Sequence, residues 1–231
     1  MTNSVFRFEH EMASSARDWL TRQGLMVKEE FYTPWGICDL VGVKLDRRQV
    51  RKRLQLGQND PIGPLIRLEI LNAVPDVVEG KSTTLEELAH NYQDLLTPME
   101  VSTEIDRLVA GKFVRRGENG SLQKVNGWVP LHTRLVALEL KLNRVEEALA
   151  QAVSHQAFAD QSFVGLPTAL AERIASSPRA ARFLSEGVGI VSVGKSRCRV
   201  VLRPETRRHP INRILQMHCV ERFWRTRAKD N

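Results

Sequence analysis

The chain has 231 residues, of which 42% are hydrophobic and 26% charged, and its 34 Lys and Arg against 27 Asp and Glu leave a net charge of +7. That balance excludes disorder over the whole length and allows one large or two small domains with real cores, while the basic excess points to a polyanionic partner. No run reaches the roughly 18 apolar residues of a membrane helix, and the opening MTNSVFRFEHEMASS lacks the apolar stretch of a signal peptide, so no membrane and a cytoplasmic location are expected.

The N-terminal segment, Val5 to Gln23, reads as a helix ended by Gly24. Leu25 to Thr33 and Ile37 to Lys44 read as two strands about Pro34-Trp35-Gly36. Asp39 sits inside the second, in Gly36-Ile37-Cys38-Asp39-Leu40-Val41-Gly42-Val43. A carboxylate in so apolar a run needs a partner or a metal, because burying it alone costs several kcal/mol.

From Lys44 to Arg53 six basic residues (Lys44, Arg47, Arg48, Arg51, Lys52, Arg53) stand against one acid, Asp46, and the tail from Arg203 onward repeats the bias with eight against three. These runs read either as solvated faces or as phosphate-binding surface. The turn formers from Gly57 to Pro64 mark a boundary, which makes 45–64 a basic linker.

Three helices are expected next. Leu65 to Val74 forms the first, closed by Pro75. A second, capped by Thr83 or Thr84, runs through Leu85, Leu88, Ala89 and Tyr92. The third follows Thr97-Pro98, with Val101, Ile105, Leu108 and Val109 at helical spacing. Lys112 to Arg116 and Ser121 to Val125 then read as two short strands about Gly117-Glu118-Asn119-Gly120. Three helices and a hairpin in this order, with Leu108-Val109-Ala110-Gly111-Lys112-Phe113-Val114-Arg115-Arg116 at the junction, resemble the winged helix-turn-helix family. In DNA-binding members of that family the third helix reads the major groove. Here that helix offers Glu100, Ser102, Thr103, Glu104, Asp106 and Arg107, an acidic face, whereas the wing residues Lys112, Arg115, Arg116 and Lys124 suit phosphate. DNA contact and a structural or dimerising role both remain open for residues 65–130.

Leu135 to Lys141 reads as a strand that puts Glu139 and Lys141 on one side and Leu138 and Leu140 on the other. An amphipathic helix, Asn143 to His155, follows and carries Gln151 and His155 one turn apart. The rest reads as a strand at Phe163 to Pro167, a helix at about Leu170 to Leu184, strands at Val188 to Val193 and Arg199 to Leu202, and a basic tail with Arg222, Phe223, Trp224 and Arg225. Trp224 fits either an apolar staple for the last helix or a base-stacking platform.

Asp39 in one apolar strand and Glu139-Leu140-Lys141 in another resemble the PD-(D/E)xK nuclease-like superfamily, the restriction-endonuclease-like fold. The likeness covers about 150 residues in two pieces, 1–44 and 131–231, with the 65–130 module as an insertion. It implies an α/β fold, a mixed sheet flanked by helices. It also implies a metal-dependent nuclease acting on DNA more readily than RNA, and a plausible homodimer. The alternative is a non-catalytic DNA-binding or regulatory protein on the same scaffold.

Asp39, Glu139 and the Leu140 carbonyl would be the oxygen ligands that Mg²⁺ or Mn²⁺ prefers. Lys141 would orient water or stabilise developing charge. Gln151 stands where some branches carry Gln-x-x-x-Tyr and would hold the site from the helix, with His155 replacing the tyrosine. The family often adds a Glu from its first helix, for which Glu9 and Glu11 are both candidates, Glu11 being preferred. Phosphate affinity would come from Arg47, Arg48, Arg51, Lys52, Arg53, Arg115, Arg116, Lys124, Arg222 and Arg225.

Other chemistry has little support. The six histidines show no zinc spacing, there is no glycine-rich phosphate loop and no G-x-S-x-G, and Cys38, Cys198 and Cys219 are too scattered for a knuckle and are expected to be ordinary buried thiols.

Overall fold

The computed structural model describes residues 6–34, 36–125, 130–206 and 211–225. Trp35 of the expected turn, Val5 at the expected helix start and residues 126–129 of the expected insertion lie outside that range, as do two parts of the basic tail, 207–210 and 226–231. The chain separates into two units, 1–44 with 133–216, and 45–132 with 217–231.

The first unit is an α/β layer structure on a six-stranded mixed sheet. In chain order its strands are β1 (Met26–Thr33), β2 (Gly36–Leu45), β5 (His132–Leu140), β6 (Gln161–Pro167), β7 (Gly189–Val193) and β8 (Cys198–Leu202), and they lie side by side in that same order. β1 and β2 form an antiparallel hairpin, β5, β6 and β7 are mutually parallel, and β8 returns antiparallel to β7. Parallel neighbours need a helical crossover. α6 (Val145–His155) supplies one between β5 and β6, and α7 (Thr168–Ala175) with α8 (Ala180–Ser185) supplies the next.

Two apolar clusters hold the sheet. One gathers Met12, Ala16 and Leu20 of α1 (His10–Arg22) with Leu40, Leu138, Leu140, Phe163 and Val191 of the strands. The other gathers Ala148, Leu149 and Ala152 of α6 with Val164, Leu166, Ala171, Ile174, Phe183 and Ile190. Gly165 pairs with Leu140 across β5 and β6, and a Cβ there would lie 2.5 Å from the Leu140 side chain, so glycine lets the end of β5 pack closely.

Two helices depart from the sequence expectation. α1 begins at His10 rather than Val5, because the Glu11 carboxylate turns back to accept hydrogen bonds from the Arg7 and Phe8 N–H groups. The single helix expected at 170–184 is broken in two. Pro178 cannot continue a hydrogen-bonded helix, and the Ser176 and Ser177 hydroxyls bond back to carbonyls of the preceding turn.

The second unit contains α2 (Arg47–Gln55), α3 (Leu65–Ala73), a 3-10 turn (Val77–Glu79), α4 (Leu85–Asn91), α5 (Pro98–Ala110) and the hairpin β3 (Val114–Arg116) and β4 (Leu122–Lys124). Thr84 and Thr97 each close a capping box, with Glu87 and Glu100. α3 and α4 pack against α5, and Leu68, Leu71, Leu88, Val101, Ile105, Leu108, Phe113 and Leu122 are buried.

The expected linker at 45–64 is instead part of this unit. Asp46, the one acid of the basic run, caps α2 by accepting from the Arg48 and Gln49 N–H groups. The tail from Met217, expected in the α/β domain, also belongs here; the division falls inside α9 (Arg213–Glu221). The physical reason is a buried ion pair. Glu221 receives two hydrogen bonds from the Arg53 guanidinium and one from the Ile62 N–H (2.9 Å), and Arg53 lies 3.9 Å above the Trp224 ring. Trp224 is buried and donates to the Asn59 carbonyl (2.7 Å), so the apolar-staple reading holds.

Candidate functional site

Five ionisable side chains from four parts of the chain, Glu9, Asp39, Glu139 with Lys141, and His155, meet at the end of β5. Glu139, the last but one residue of the strand, is only 1% exposed. Its Oε1 accepts from Lys141 Nζ at 3.0 Å, and its Oε2 lies 3.3 Å from His155 Nε2. Lys141 is one residue beyond the strand and keeps its place by donating its N–H to the Gly165 carbonyl (3.1 Å). Its ammonium also lies 3.6 Å from Glu9 Oε2, and Glu9 Oε1 accepts from the Leu142 N–H at 3.3 Å. Asp39 reaches over from β2, its Oδ2 accepting from the Leu140 N–H at 2.7 Å.

The strand alternation explains the gathering. Leu138 and Leu140 enter the cluster against α1, leaving Glu139 and Lys141 to share a side. Asp39 fills a role no apolar residue could, because its carboxylate satisfies a backbone N–H of the neighbouring strand.

The charges are not evenly matched. Glu9, Asp39 and Glu139 face one cation, Lys141. Burial, and after it the charge of Glu139, push the Asp39 carboxyl up from its usual 3.8 to about 6, against the opposing pull of the Leu140 N–H and Lys141. Burial would raise Glu139 as well, but hydrogen bonds from His155 and Lys141 outweigh it and hold that carboxyl below its ordinary value. The Lys141 ammonium is held above its ordinary value: burial acts against it, and Glu139, Asp39 and Glu9 overcome burial. The site therefore pairs one firmly ionised carboxylate with one poised to take a proton, and such divergence is common where function resides.

Two expectations need correction. Glu11 does not reach the site: it is occupied at the start of α1 with the Arg7 and Phe8 N–H groups, which lower its pKa, and Glu9 takes the position instead. Glu9 precedes α1 and faces Leu142 and Lys141, a geometry that spacing alone could not assign. Gln151 does not hold the site by hydrogen bonds either. Its Oε1 is shielded from solvent without a partner among the described residues, and His155, one turn further along α6, supplies the bond to Glu139. Helical spacing made both residues visible, but the histidine read as a departure from the family pattern.

Cys38 is a free buried thiol, as expected. Its thiol, fully buried, lies with Glu139 and His155 in a group whose donor atoms are all within 4.8 Å of one another. These residues come from β2, β5 and α6, so no local motif could announce them.

The expected phosphate-binding residues divide. Arg47, Arg48 and Arg51 are exposed along α2, and Arg225 is exposed beyond α9. Arg115 and Arg116 are exposed on β3, where Arg115 bonds Gln123 and Arg116 pairs with Asp106 (2.9 Å). Lys52, Lys124 and Arg222 are partly buried. Arg53 must be removed from the set: it is 1% exposed, paired with Glu221 and sandwiched by Trp224 and Phe113, so it meets no phosphate in this fold.

No family model and no curated protein matches the chain. Among solved structures it is similar to SPO1766, a protein of unknown function from Silicibacter pomeroyi, at 10% identity and a TM-score of 0.45, over 97% of this chain and 89% of that one. Among the described residues, no helix is long and apolar enough to cross a membrane.

Proposed function

We propose that the first unit is a nuclease-like domain of the PD-(D/E)xK type that hydrolyses phosphodiester bonds in DNA with Mg²⁺ or Mn²⁺. The observation that supports this most is the convergence of Glu9, Asp39, Glu139 and Lys141 on one strand end, with the Asp39 carboxyl raised by burial and then by the charge of Glu139. The donor set suits a hard divalent ion, since carboxylate oxygens and the Leu140 carbonyl at the end of β5 are the ligand types such ions take. Asp39, Glu139 and Leu140 would hold the ion and Glu9 would complete its surroundings. Bound there, it would supply a water of lowered pKa and neutralise charge on the scissile phosphate.

The protein's own groups would do the rest. Asp39, once deprotonated, presents a carboxylate oxygen beside the end of β5. Lys141, kept charged by three carboxylates, orients the attacking water and stabilises charge developing on the phosphate oxygens. His155 fixes the Glu139 rotamer. In the second unit α3, α4, α5 and the β3–β4 hairpin would act as a winged-helix module. The exposed arginines of α2 and the wing contact backbone phosphates, while α5 is a poor groove reader because Glu100 and Glu104 are spent on capping and on ion pairs with Arg67 and Arg107.

Titration calorimetry with Mn²⁺ tests the reading. The wild type is expected to bind one ion per chain, and Asp39→Asn to abolish binding without loss of secondary structure. A wild type that binds no Mn²⁺, with DNA present or absent, would turn the reading to a non-catalytic DNA-binding scaffold.

A further inference from the structure

Glu139 faces two ways. One oxygen meets Lys141 and the other meets His155, and the Cys38 thiol lies in one group with Glu139 and His155. Cys38, Glu139 and His155 are at most 4% exposed, so the three donors form a buried group next to the oxygen-lined site and separate from it in chemistry. Thiol, carboxylate and imidazole are the ligand types of Zn²⁺ and its thiophilic relatives, whereas Mg²⁺ takes neither sulfur nor, as a rule, imidazole.

A second observation concerns the imidazole. His155 turns Nε2 towards Glu139, and its Nδ1, shielded from solvent, has no hydrogen-bond partner among the described residues. Buried polar atoms rarely go unmatched without a reason. Ligation through Nδ1 would give that nitrogen the partner it lacks while Nε2 kept its contact with Glu139.

The charge balance agrees. A thiolate, a carboxylate, a neutral imidazole and a divalent cation sum to zero, so the group could be filled without leaving a net charge in the interior. The thiol lies within hydrogen-bond reach of the Leu40 (3.4 Å) and Leu138 (3.7 Å) carbonyls, and binding would release its proton to solvent. Donors 4.8 Å apart or less need to draw in only by about 1 Å to reach the spacing of a tetrahedral site with bonds of roughly 2.0–2.3 Å.

We propose that Cys38, Glu139 and His155 bind a thiophilic divalent cation of the Zn²⁺ class, and that this ion withdraws Glu139 from the neighbouring oxygen-lined site. The binding stands on the three donors alone. The antagonism rests on the proposed nuclease reading, because it requires Glu139 to serve a hard ion as well.

Co²⁺ added to the metal-free protein is the probe, since a cysteine ligand gives it a thiolate-to-cobalt charge-transfer absorption. The wild type is expected to show that absorption at one equivalent, and Zn²⁺ to erase it. Cys38→Ser should lose it and weaken Zn²⁺ by at least the roughly 10–100-fold that removing even an outer-sphere partner costs. Cys198→Ser and Cys219→Ser should keep it, and both side chains lie outside the group. Mn²⁺ binding should survive in Cys38→Ser, which separates this proposal from the nuclease reading. Co²⁺ binding to wild type without sulfur charge transfer, no Co²⁺ binding at all, or a band that Cys38→Ser retains would each overturn the proposal. Loss of Mn²⁺ binding in the wild type would instead overturn the nuclease reading and leave the thiophilic site standing.

Discussion

Replacing Asp39 by Asn should make the metal-free protein more stable at neutral pH. A carboxyl that titrates near 6 in the fold and near 3.8 otherwise favours its protonated form by about 3 kcal/mol, and because the side chain keeps some contact with solvent the usable part is about 1–2 kcal/mol. The sign follows from proton binding: between about pH 4 and 6 the folded state holds more protons at Asp39 than the unfolded chain, so stability falls as pH rises through that window and is flat above it. Asn keeps an oxygen to accept the Leu140 N–H and carries no charge.

In thermal unfolding at pH 7.5 without divalent ions, Asp39→Asn should therefore raise Tm by about 2–6 °C. The gain should shrink towards zero as the pH is lowered to 4. Saturating Mn²⁺ should reverse the order, because only the wild type gains binding energy. A pH-independent difference, or a loss of stability at pH 7.5, would refute the picture of Asp39 as a strained, metal-awaiting carboxylate.

The neighbouring residues give sharper contrasts. Lys141→Gln should retain Mn²⁺ binding and lower the rate of DNA cleavage by at least about 100-fold in a gel assay, as removal of a charge-stabilising donor does elsewhere. His155→Phe should cost about 1–3 kcal/mol in urea unfolding by leaving a buried Glu139 oxygen unpaired, and should move the acid limb of any cleavage profile to higher pH as the Glu139 carboxyl rises. Glu9→Gln should weaken Mn²⁺ in calorimetry, while Glu11→Gln leaves it unchanged. Arg53→Ala should destabilise the chain by about 3–5 kcal/mol, since Glu221 would be left buried without a counter-charge. Arg51→Ala should stay within about 0.5 kcal/mol and lower the salt slope of DNA binding by about 1.

The elements of the sheet were legible because each strand is a short apolar run between turn formers. β2, β5, β6 and β7 lie within a few residues of their expected bounds. Asp39 and Glu139-x-Lys141 were legible for a related reason: charge inside such runs is costly, so it stands out. Other residues were hidden by the kind of interaction they make. Glu9 and Glu11 differ by two residues, and only the turn before α1 decides which of them faces Leu142. Cys38 and His155 belong to separate elements, so their meeting at Glu139 is a tertiary fact with no local spacing. Arg53 looked like its neighbours Arg51 and Lys52 in a basic run. Its burial depends on Glu221 and Trp224 at the far end of the chain, and the same pairing carries the tail into the second unit. The break at Pro178 was visible in principle, since proline punctuates helices, but apolar spacing on both sides masked it.

The most direct test of the central claim is cleavage itself. Purified protein incubated with Mn²⁺ or Mg²⁺ and a panel of supercoiled, linear, single-stranded and branched DNA is expected to cut at least one substrate, with cutting lost on chelation and in Asp39→Asn and Lys141→Gln. Intact DNA across the whole panel with the folded wild type, or cleavage that both substitutions leave untouched, would contradict it.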